Sequence, residues 1–131
     1  MKKILVIDDN PRNNSIFTEP LSKYYKVEVM MSLESIERIM KHKMYDLLVI
    51  DVMMPTQNTK SASELTTGLY FYQDSIKDNY PNLKVLFWSN RSSEPFDQFF
   101  SQSKPENVFF LHKDRSNHDQ LLQEVDKLIG R

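Results

Sequence analysis

Four short, nearly continuous apolar runs constrain the possible fold of this 131-residue sequence more than any other feature. They are rich in β-branched and aromatic residues, and longer amphipathic stretches separate them. Strands that are covered on both faces give continuous apolar runs, whereas half-exposed strands alternate apolar with polar residues. The pattern therefore predicts a parallel sheet with helices on both faces. The runs span residues 4–7, 47–50, 83–88 and 108–111, and a fifth, alternating run at 27–31 predicts an edge strand.

The stretches between these runs have the apolar spacing of helices. Apolar residues recur there every three or four positions, as they do along one face of an amphipathic helix. Serine is a common N-cap, so we expect the second helix to follow Ser32 and the last helix to follow Ser116. A third helix is expected over residues 63–80, and Pro95 suits the first turn of a fourth helix.

The first helix has two possible starts, because proline interrupts a helix interior. Either the helix begins near Pro11 and is kinked at Pro20, or it begins near Thr18 with Pro20 in its first turn. Its expected buried face includes Leu21 and Tyr24. Five strand–helix repeats in series predict an α/β fold, a doubly wound (βα)5 domain whose five parallel strands follow the flavodoxin-like order 2-1-3-4-5.

Composition excludes several classes of protein and site. The formal net charge of −1 gives no electrostatic basis for direct nucleic-acid binding, and the absence of cysteine excludes disulfides and thiolate metal sites. The N-terminus turns acidic too early for a signal peptide, and no apolar run approaches the ~18 residues of a membrane span. We therefore expect one cytoplasmic domain over residues 1–131 that contacts neither membrane nor nucleic acid.

Polar side chains follow each of the four apolar runs. Asp8 and Asp9 come directly after the run at 4–7 and Asp51 after the run at 47–50, while Ser89 follows the run at 83–88 and Lys113 stands two residues beyond the run at 108–111. The carboxyl ends of parallel strands meet at one edge of a doubly wound sheet, where ligands bind. Three carboxylates brought together there repel one another, and a divalent cation removes that repulsion. Mg²⁺ is the expected ion because it prefers oxygen ligands and keeps part of its water shell.

The same edge would suit a transferring phosphoryl group. Its charge is spread over three oxygens, which a metal ion, the Lys113 ammonium and the Ser89 hydroxyl would stabilise together. Asp51 would supply the attacking oxygen, since carboxylates act as phosphoryl acceptors in covalent catalysis. The residues alone thus predict phosphoryl transfer to an aspartate.

Four motifs resemble the receiver domain of two-component response regulators, in order and over nearly the full length. They are VIDDNP at 6–11, DLLVIDVMMP at 46–55, FWSN at 87–90 and VFFLHKD at 108–114. The resemblance implies that Asp51 is the phosphoacceptor. It also implies a Mg²⁺ site formed by Asp8, Asp9, Asp51 and the backbone carbonyl of Met53, with Asp9 as the more direct ligand of the acidic pair.

The resemblance assigns further roles around the phosphoryl group. Ser89 would be the hydroxyl that binds a phosphoryl oxygen, Lys113 would pair with the phosphoryl group, and Phe110 would be the aromatic residue that responds to it. Met53 and Arg91 would flank the path of the attacking water and set the lifetime of the phosphorylated form. Since Met53 offers no polar group to orient water, we expect a long-lived phosphorylated form.

The implied function is a signalling switch rather than an enzyme that acts on other molecules. A histidine kinase or phosphotransfer protein would donate a phosphoryl group from phosphohistidine to Asp51. The face formed by the fourth helix, fifth strand and fifth helix would then repack for a downstream protein or for a fused output domain outside this chain. The switch would catalyse only its own phosphoryl transfer and a slow autodephosphorylation.

Two departures from the family keep a second function open. Residues 56–63 form a polar segment that lengthens the loop between the third strand and third helix, so that the first glycine after Pro55 is Gly68. Asp114 follows Lys113 where many members have proline. The alternative is a phosphorylation-independent interaction module with the receiver fold.

Overall fold

The computed structural model describes residues 1–54, 67–114 and 116–131. Five parallel strands form one sheet in the order β2-β1-β3-β4-β5, so the predicted fold class and strand order are confirmed. The strands are β1 (Lys3–Ile7), β2 (Lys26–Met30), β3 (Leu47–Asp51), β4 (Lys84–Ser89) and β5 (Val108–His112).

Burial along the strands follows the apolar runs. β3 is buried at every residue, and only the first residue of β1 and of β4 is partly accessible. β2 lies at an edge and is half-exposed, as its alternating sequence predicts. β5 is the exception, because it forms the other edge of the sheet and is buried only at Val108. Continuous apolar sequence therefore marks the central strands β1, β3 and β4, which have helices on both faces.

Helices cover the sheet on both sides. One face is packed against the first helical segment and α5, and the other against α2, α3 and α4. Among the described residues, no helix is both long enough and apolar enough to cross a membrane. The helices are α1 (Pro11–Asn13), α2 (Ile36–His42), α3 (Thr67–Phe71), α4 (Glu94–Phe99) and α5 (Gln120–Ile129).

The first helical segment passes Pro20 by changing its hydrogen-bond pattern. α1 continues directly into a π-helical turn (Asn14–Thr18) and then a 3-10 turn (Glu19–Lys23). The Glu19 N–H donates to the Asn14 carbonyl five residues back, and Pro20 enters the first turn of the 3-10 segment, where its missing N–H is not needed. The helical segment thus begins at Pro11, as in the first predicted alternative. Its 3-10 turn begins at Glu19, next to Thr18, and has Pro20 in its first turn, as in the second alternative.

The end of the first helical segment corrects the predicted buried face. The 3-10 turn ends at Lys23, so Tyr24 and Tyr25 lie beyond the helical spacing from which the buried face was predicted. Leu21 is buried as expected, but Tyr24 is exposed and Tyr25 is buried in its place.

Two predicted N-caps and one helix length are wrong. α2 begins at Ile36 after Ser35, which has a left-handed backbone, and Ser32 lies in a bend before it. α5 begins at Gln120 because the Ser116 hydroxyl and N–H both bond to the Asp114 carboxylate in a separate turn. α3 continues as a π-helical turn (Tyr72–Ile76) and ends before residue 80. Residues 63–66 lie outside the described part of the chain.

Candidate functional site

Asp51 is the last residue of β3, and both of its carboxylate oxygens have hydrogen-bond donors. Oδ1 accepts from the Met53 N–H at 2.9 Å, and Oδ2 accepts from Lys113 Nζ at 3.0 Å. The residue is only 8% exposed. The strand order explains the contact, because Lys113 follows β5 and the parallel strands end at the same edge.

Asp8 is fully buried and accepts hydrogen bonds on both oxygens. Oδ1 accepts from the Asn10 N–H at 2.9 Å. Oδ2 accepts from Lys113 Nζ at 3.0 Å and from Asn13 Nδ2 at 3.2 Å. The backbone carbonyl of Asp8 also accepts from Asn14 Nδ2. The segment that follows β1 thus folds back over the carboxylate it has just presented.

Asp9 completes the acidic group and is exposed. One carboxylate oxygen from each of Asp8, Asp9 and Asp51 lies within 4.8 Å of the others. The three residues therefore converge as predicted, although 42 positions separate Asp9 from Asp51 (51 − 9). An all-oxygen donor set with one accessible carboxylate suits a hard divalent cation such as Mg²⁺.

Lys113 is the central positive charge of this site. Its ammonium bridges Asp8 and Asp51, and the residue is only 6% exposed. It also lies 4.5 Å from the centroid of the buried Trp88 ring, in the geometry of a cation–π contact. Because both carboxylates and the ammonium are removed from water, the loss of one partner would leave an uncompensated buried charge.

Burial raises the pKa of the Asp51 carboxyl above its ordinary value. The charge of Lys113 and the Met53 N–H act in the opposite direction, and the neighbouring Asp8 charge adds to the increase. Because the pKa of Asp51 is raised overall, the charge of Lys113 does not offset the loss of hydration of the Asp51 carboxylate. A further cation beside Asp51 would favour the ionised form.

Ser89, Arg91 and Phe110 lie beside the acidic group rather than within it. Ser89 is buried at the end of β4, and its Oγ accepts a hydrogen bond from the Arg91 N–H at 3.1 Å. Phe110 is half-buried, with its ring centroid 5.1 Å from that of Phe96. These three residues and Phe96 line one cavity of about 490 Å³.

Met53 lies between this cavity and the acidic site. It lines the cavity of about 490 Å³ and also a second one of about 460 Å³, which contains Asp9, Asp51 and Lys113. In the described part of the chain, the Ser89 hydroxyl forms no hydrogen bond with Asp51. The predicted site residues are therefore brought to one edge of the sheet, where all but the fully buried Asp8 line one or both of these two cavities.

Comparison with known proteins agrees with this arrangement. A family model described as "Response regulator receiver domain" matches residues 4–126. The chain belongs to the response regulator receiver family. The sequence is also 32% identical over 113 residues to hybrid signal transduction histidine kinase D of Dictyostelium discoideum. That match covers 77% of this chain and 7% of the larger protein, so the receiver spans a small part of that relative.

Solved structures support the same fold. A CheY-like receiver domain protein from Methanospirillum hungatei has a TM-score of 0.75 at 16% identity, covering 98% of this receiver and 94% of that chain. The response regulator TrrA from Thermotoga maritima, solved in complex with Mg(2+)-BeF, has a TM-score of 0.72 at 24% identity, covering 98% and 99% of the two chains. The receiver therefore has the fold of two-component signalling proteins.

Gly68 contributes to the site in a way that the sequence did not predict. Its N–H donates to the Val52 carbonyl at 2.9 Å. A Cβ added to Gly68 would lie 2.3 Å from the Asp51 carbonyl oxygen, so only glycine fits there without a backbone shift. The long connection at 56–63 lies outside the described residues, but the receiver still places a glycine against the strand that carries Asp51.

Asn10, Asn13 and Trp88 are further contributors that sequence reasoning missed. Asn10 caps α1 by accepting from the Arg12 N–H at 2.9 Å, and its own N–H bonds to Asp8. Asn13 bonds to the Asp8 carboxylate, and Trp88 packs against Lys113. The three asparagines in DDNPRNN were an available signal, since asparagine favours caps and turns over helix interiors.

Proposed function

We propose that this receiver accepts a phosphoryl group on Asp51 from a phosphohistidine of a histidine kinase or phosphotransfer protein. The observation that carries the proposal is the Lys113 ammonium, which contacts both Asp8 and Asp51 at 3.0 Å beside a third carboxylate. A buried carboxylate with one cation beside it and a second acidic group nearby is prepared for a metal ion and an anionic substrate.

The residues available to hold Mg²⁺ are Asp8, Asp9 and Asp51, whose carboxylate oxygens lie within 4.8 Å of one another, together with the Met53 carbonyl. When bound, Mg²⁺ would neutralise the developing charge on the phosphoryl oxygens. Asp8 would contribute by holding Lys113, whose ammonium it shares with Asp51. The buried pair would thus keep Lys113 in place at the reacting oxygen.

The transfer itself forms one P–O bond and breaks one P–N bond. An Asp51 carboxylate oxygen attacks phosphorus, the imidazole of the donor leaves, and that imidazole takes a proton from water. Lys113 moves its contact from the Asp51 carboxylate to a phosphoryl oxygen. The Ser89 hydroxyl, which accepts from the Arg91 N–H, has its proton available to donate to another phosphoryl oxygen.

We further propose that Ser89 moves toward the bound phosphoryl group, and that this displacement reaches Phe110 through the cavity of about 490 Å³ that both residues line. Phe110 packs on Phe96 of α4, so a displacement of either ring changes the face formed by α4, β5 and α5. A downstream protein or a fused output domain would bind that face. The chain would act as a switch and not as an enzyme with an external substrate.

Beryllofluoride, a phosphoryl mimic, tests the proposal through Trp88. Because Trp88 contacts Lys113 at 4.5 Å, its fluorescence reports a change at the ammonium. We expect beryllofluoride to give a saturable change only when Mg²⁺ is present, and this change to exceed the one that Mg²⁺ alone produces. Asp51→Asn is the control and should give no response. A wild-type chain with no Mg²⁺-dependent binding by fluorescence and by calorimetry would instead support the phosphorylation-independent module.

A further inference from the structure

Asn13 presents a buried polar atom that the proposed phosphoryl transfer does not use. The residue is 3% exposed, and its Nδ2 donates to Asp8 Oδ2 at 3.2 Å. An ionised carboxylate oxygen only accepts hydrogen bonds, so the NH₂ of the amide faces Asp8. The Asn13 carbonyl oxygen, Oδ1, has no hydrogen-bond partner among the described residues.

This carbonyl belongs to a residue that lines the acidic cavity. Asn13 lines the cavity of about 460 Å³ together with Asp9, Asp51, Met53 and Lys113. Buried polar atoms are almost always hydrogen-bonded, and an unpaired one carries a desolvation penalty. The orphan oxygen therefore indicates a donor that enters the cavity with a ligand.

The charges around Asn13 restrict what that donor is. Lys113 is already held by two carboxylates at 3.0 Å, and the nearby acidic groups only accept when ionised. Mg²⁺ keeps several waters when a protein binds it, and those waters donate strongly because the ion polarises them. A metal-bound water supplies what Asn13 Oδ1 lacks.

We propose that Asn13 is a positioning residue that accepts a hydrogen bond from a water on the metal ion while its amide fixes Asp8. One side chain would then couple the buried carboxylate to the hydration shell of the ion. Residues that hydrogen-bond to the ligands of a metal ion orient those ligands, and their substitution typically weakens metal binding by about 10- to 100-fold. The inference rests on the proposed function, because it requires that the acidic group binds Mg²⁺.

Calorimetric titration with MgCl₂ alone tests the inference without any phosphoryl donor. Asn13→Leu replaces the amide by an apolar side chain of similar size, and we expect its Mg²⁺ dissociation constant to rise about 10-fold. Asn14→Leu is the matched control, because among the described residues the Asn14 side chain bonds only to the backbone carbonyl of Asp8 and to Thr18. We expect the Asn14→Leu constant to stay within about twofold of wild type.

A structural role for Asn13 would give a different result. If Asn13 only supported the fold, Asn13→Leu would lower the unfolding midpoint in the absence of metal while leaving the Mg²⁺ constant unchanged, and the inference would be wrong. Asn13→Ala repeats the comparison if the leucine variant does not fold. A wild-type chain that binds no Mg²⁺ would overturn both this inference and the proposed metal site, whereas equal constants for wild type and Asn13→Leu would overturn the inference alone.

Discussion

At the scale of single residues, the site is a balance of buried charges. Burial raises the pKa of the Asp51 carboxyl, while Lys113 and a backbone N–H act to lower it. Lys113 is shared with Asp8, which is fully buried. The sequence could predict that these charges meet, because strand ends converge in a doubly wound sheet. It could not predict that one ammonium serves both carboxylates, because that depends on side-chain conformation.

Replacing Lys113 tests this balance. Lys113→Met leaves two buried carboxylates without their cation, so we expect a loss of about 3–5 kcal/mol in the free energy of unfolding at neutral pH. Lys43→Met is the matched control, because it removes an exposed ion pair with Glu28 and should change stability by less than about 1 kcal/mol. Urea denaturation measures both, and equal losses in the two variants would show that the buried pair has no special importance.

Substituting Gly68 tests whether the close contact between its backbone and Asp51 matters for the site, apart from the general cost of replacing a glycine. We expect Gly68→Ala to destabilise the receiver by about 1–3 kcal/mol and to weaken beryllofluoride binding, because its Cβ would lie 2.3 Å from the Asp51 carbonyl oxygen. Gly130→Ala is the control: its φ of 66° makes alanine unfavourable by about 1–2 kcal/mol, but it is remote from Asp51. Unchanged beryllofluoride affinity in Gly68→Ala would contradict the proposed fit.

Met53 sets the expected lifetime of the phosphorylated form. It lines both cavities at the site and has no group that would orient an attacking water. Met53→Asn introduces an amide there, so we expect several-fold faster dephosphorylation. A phosphate-release assay on the phosphorylated receiver measures the rate of dephosphorylation. An unchanged rate would show that Met53 does not set the lifetime of the phosphorylated form.

At the scale of elements, apolar patterning predicted the strands better than the helix ends. The central strands β1, β3 and β4 lie where continuous runs place them, because burial on both faces is a property of the whole run, whereas the continuous run of β5 lies at a partly exposed edge. Helix starts depend instead on local competition for hydrogen bonds. Ser116 bonds to Asp114 and so does not cap α5, and the first helical segment ends at Lys23, so that Tyr25 is buried where Tyr24 was predicted. Neither event follows from apolar spacing.

The contact between α5 and the end of the first helical segment predicts a pH dependence. Tyr25 Oη donates to Asp126 Oδ1 at 2.6 Å, and Arg131 pairs with the same carboxylate. Hydrogen bonds from Arg131 and Tyr25 lower the pKa of Asp126, whereas burial and then the bond to Asp126 raise the pKa of Tyr25 to about 12. The carboxylate therefore stabilises the fold above the ordinary aspartate pKa, and this contribution is lost as pH falls through the lowered value.

Asp126→Asn tests that pH dependence. We expect the variant to be less stable than wild type at neutral pH and the difference to shrink in acid, once the wild-type carboxylate is protonated. The hydrogen bond from the Tyr25 hydroxyl stabilises the fold fully at any pH below the ordinary tyrosine pKa. This stabilisation is lost as pH rises through about 12. Denaturation curves from acid to neutral pH measure the difference, and a constant gap would show that ionisation of Asp126 has no part in it.

At the scale of the whole molecule, topology brings together residues that are distant in the chain. Lys113 and Asp8 are 105 positions apart, yet their side chains bond at 3.0 Å. The order 2-1-3-4-5 places β1, which leads into Asp8 and Asp9, next to β3, which carries Asp51. The candidate site is therefore a consequence of the fold, and this is why strand-end residues could be listed from the sequence. Asn13, Trp88 and the fit of Gly68 depend on packing, which the sequence pattern does not encode.

Intact-mass measurement after incubation with acetyl phosphate shows whether Asp51 is the phosphoacceptor. We expect the wild-type chain to gain the mass of one phosphoryl group when Mg²⁺ is present, and chelation of Mg²⁺ or the Asp51→Asn substitution to prevent the gain. A mass that stays unchanged in wild type with Mg²⁺, or an equal gain in Asp51→Asn, would contradict the assignment of Asp51 as the phosphoacceptor.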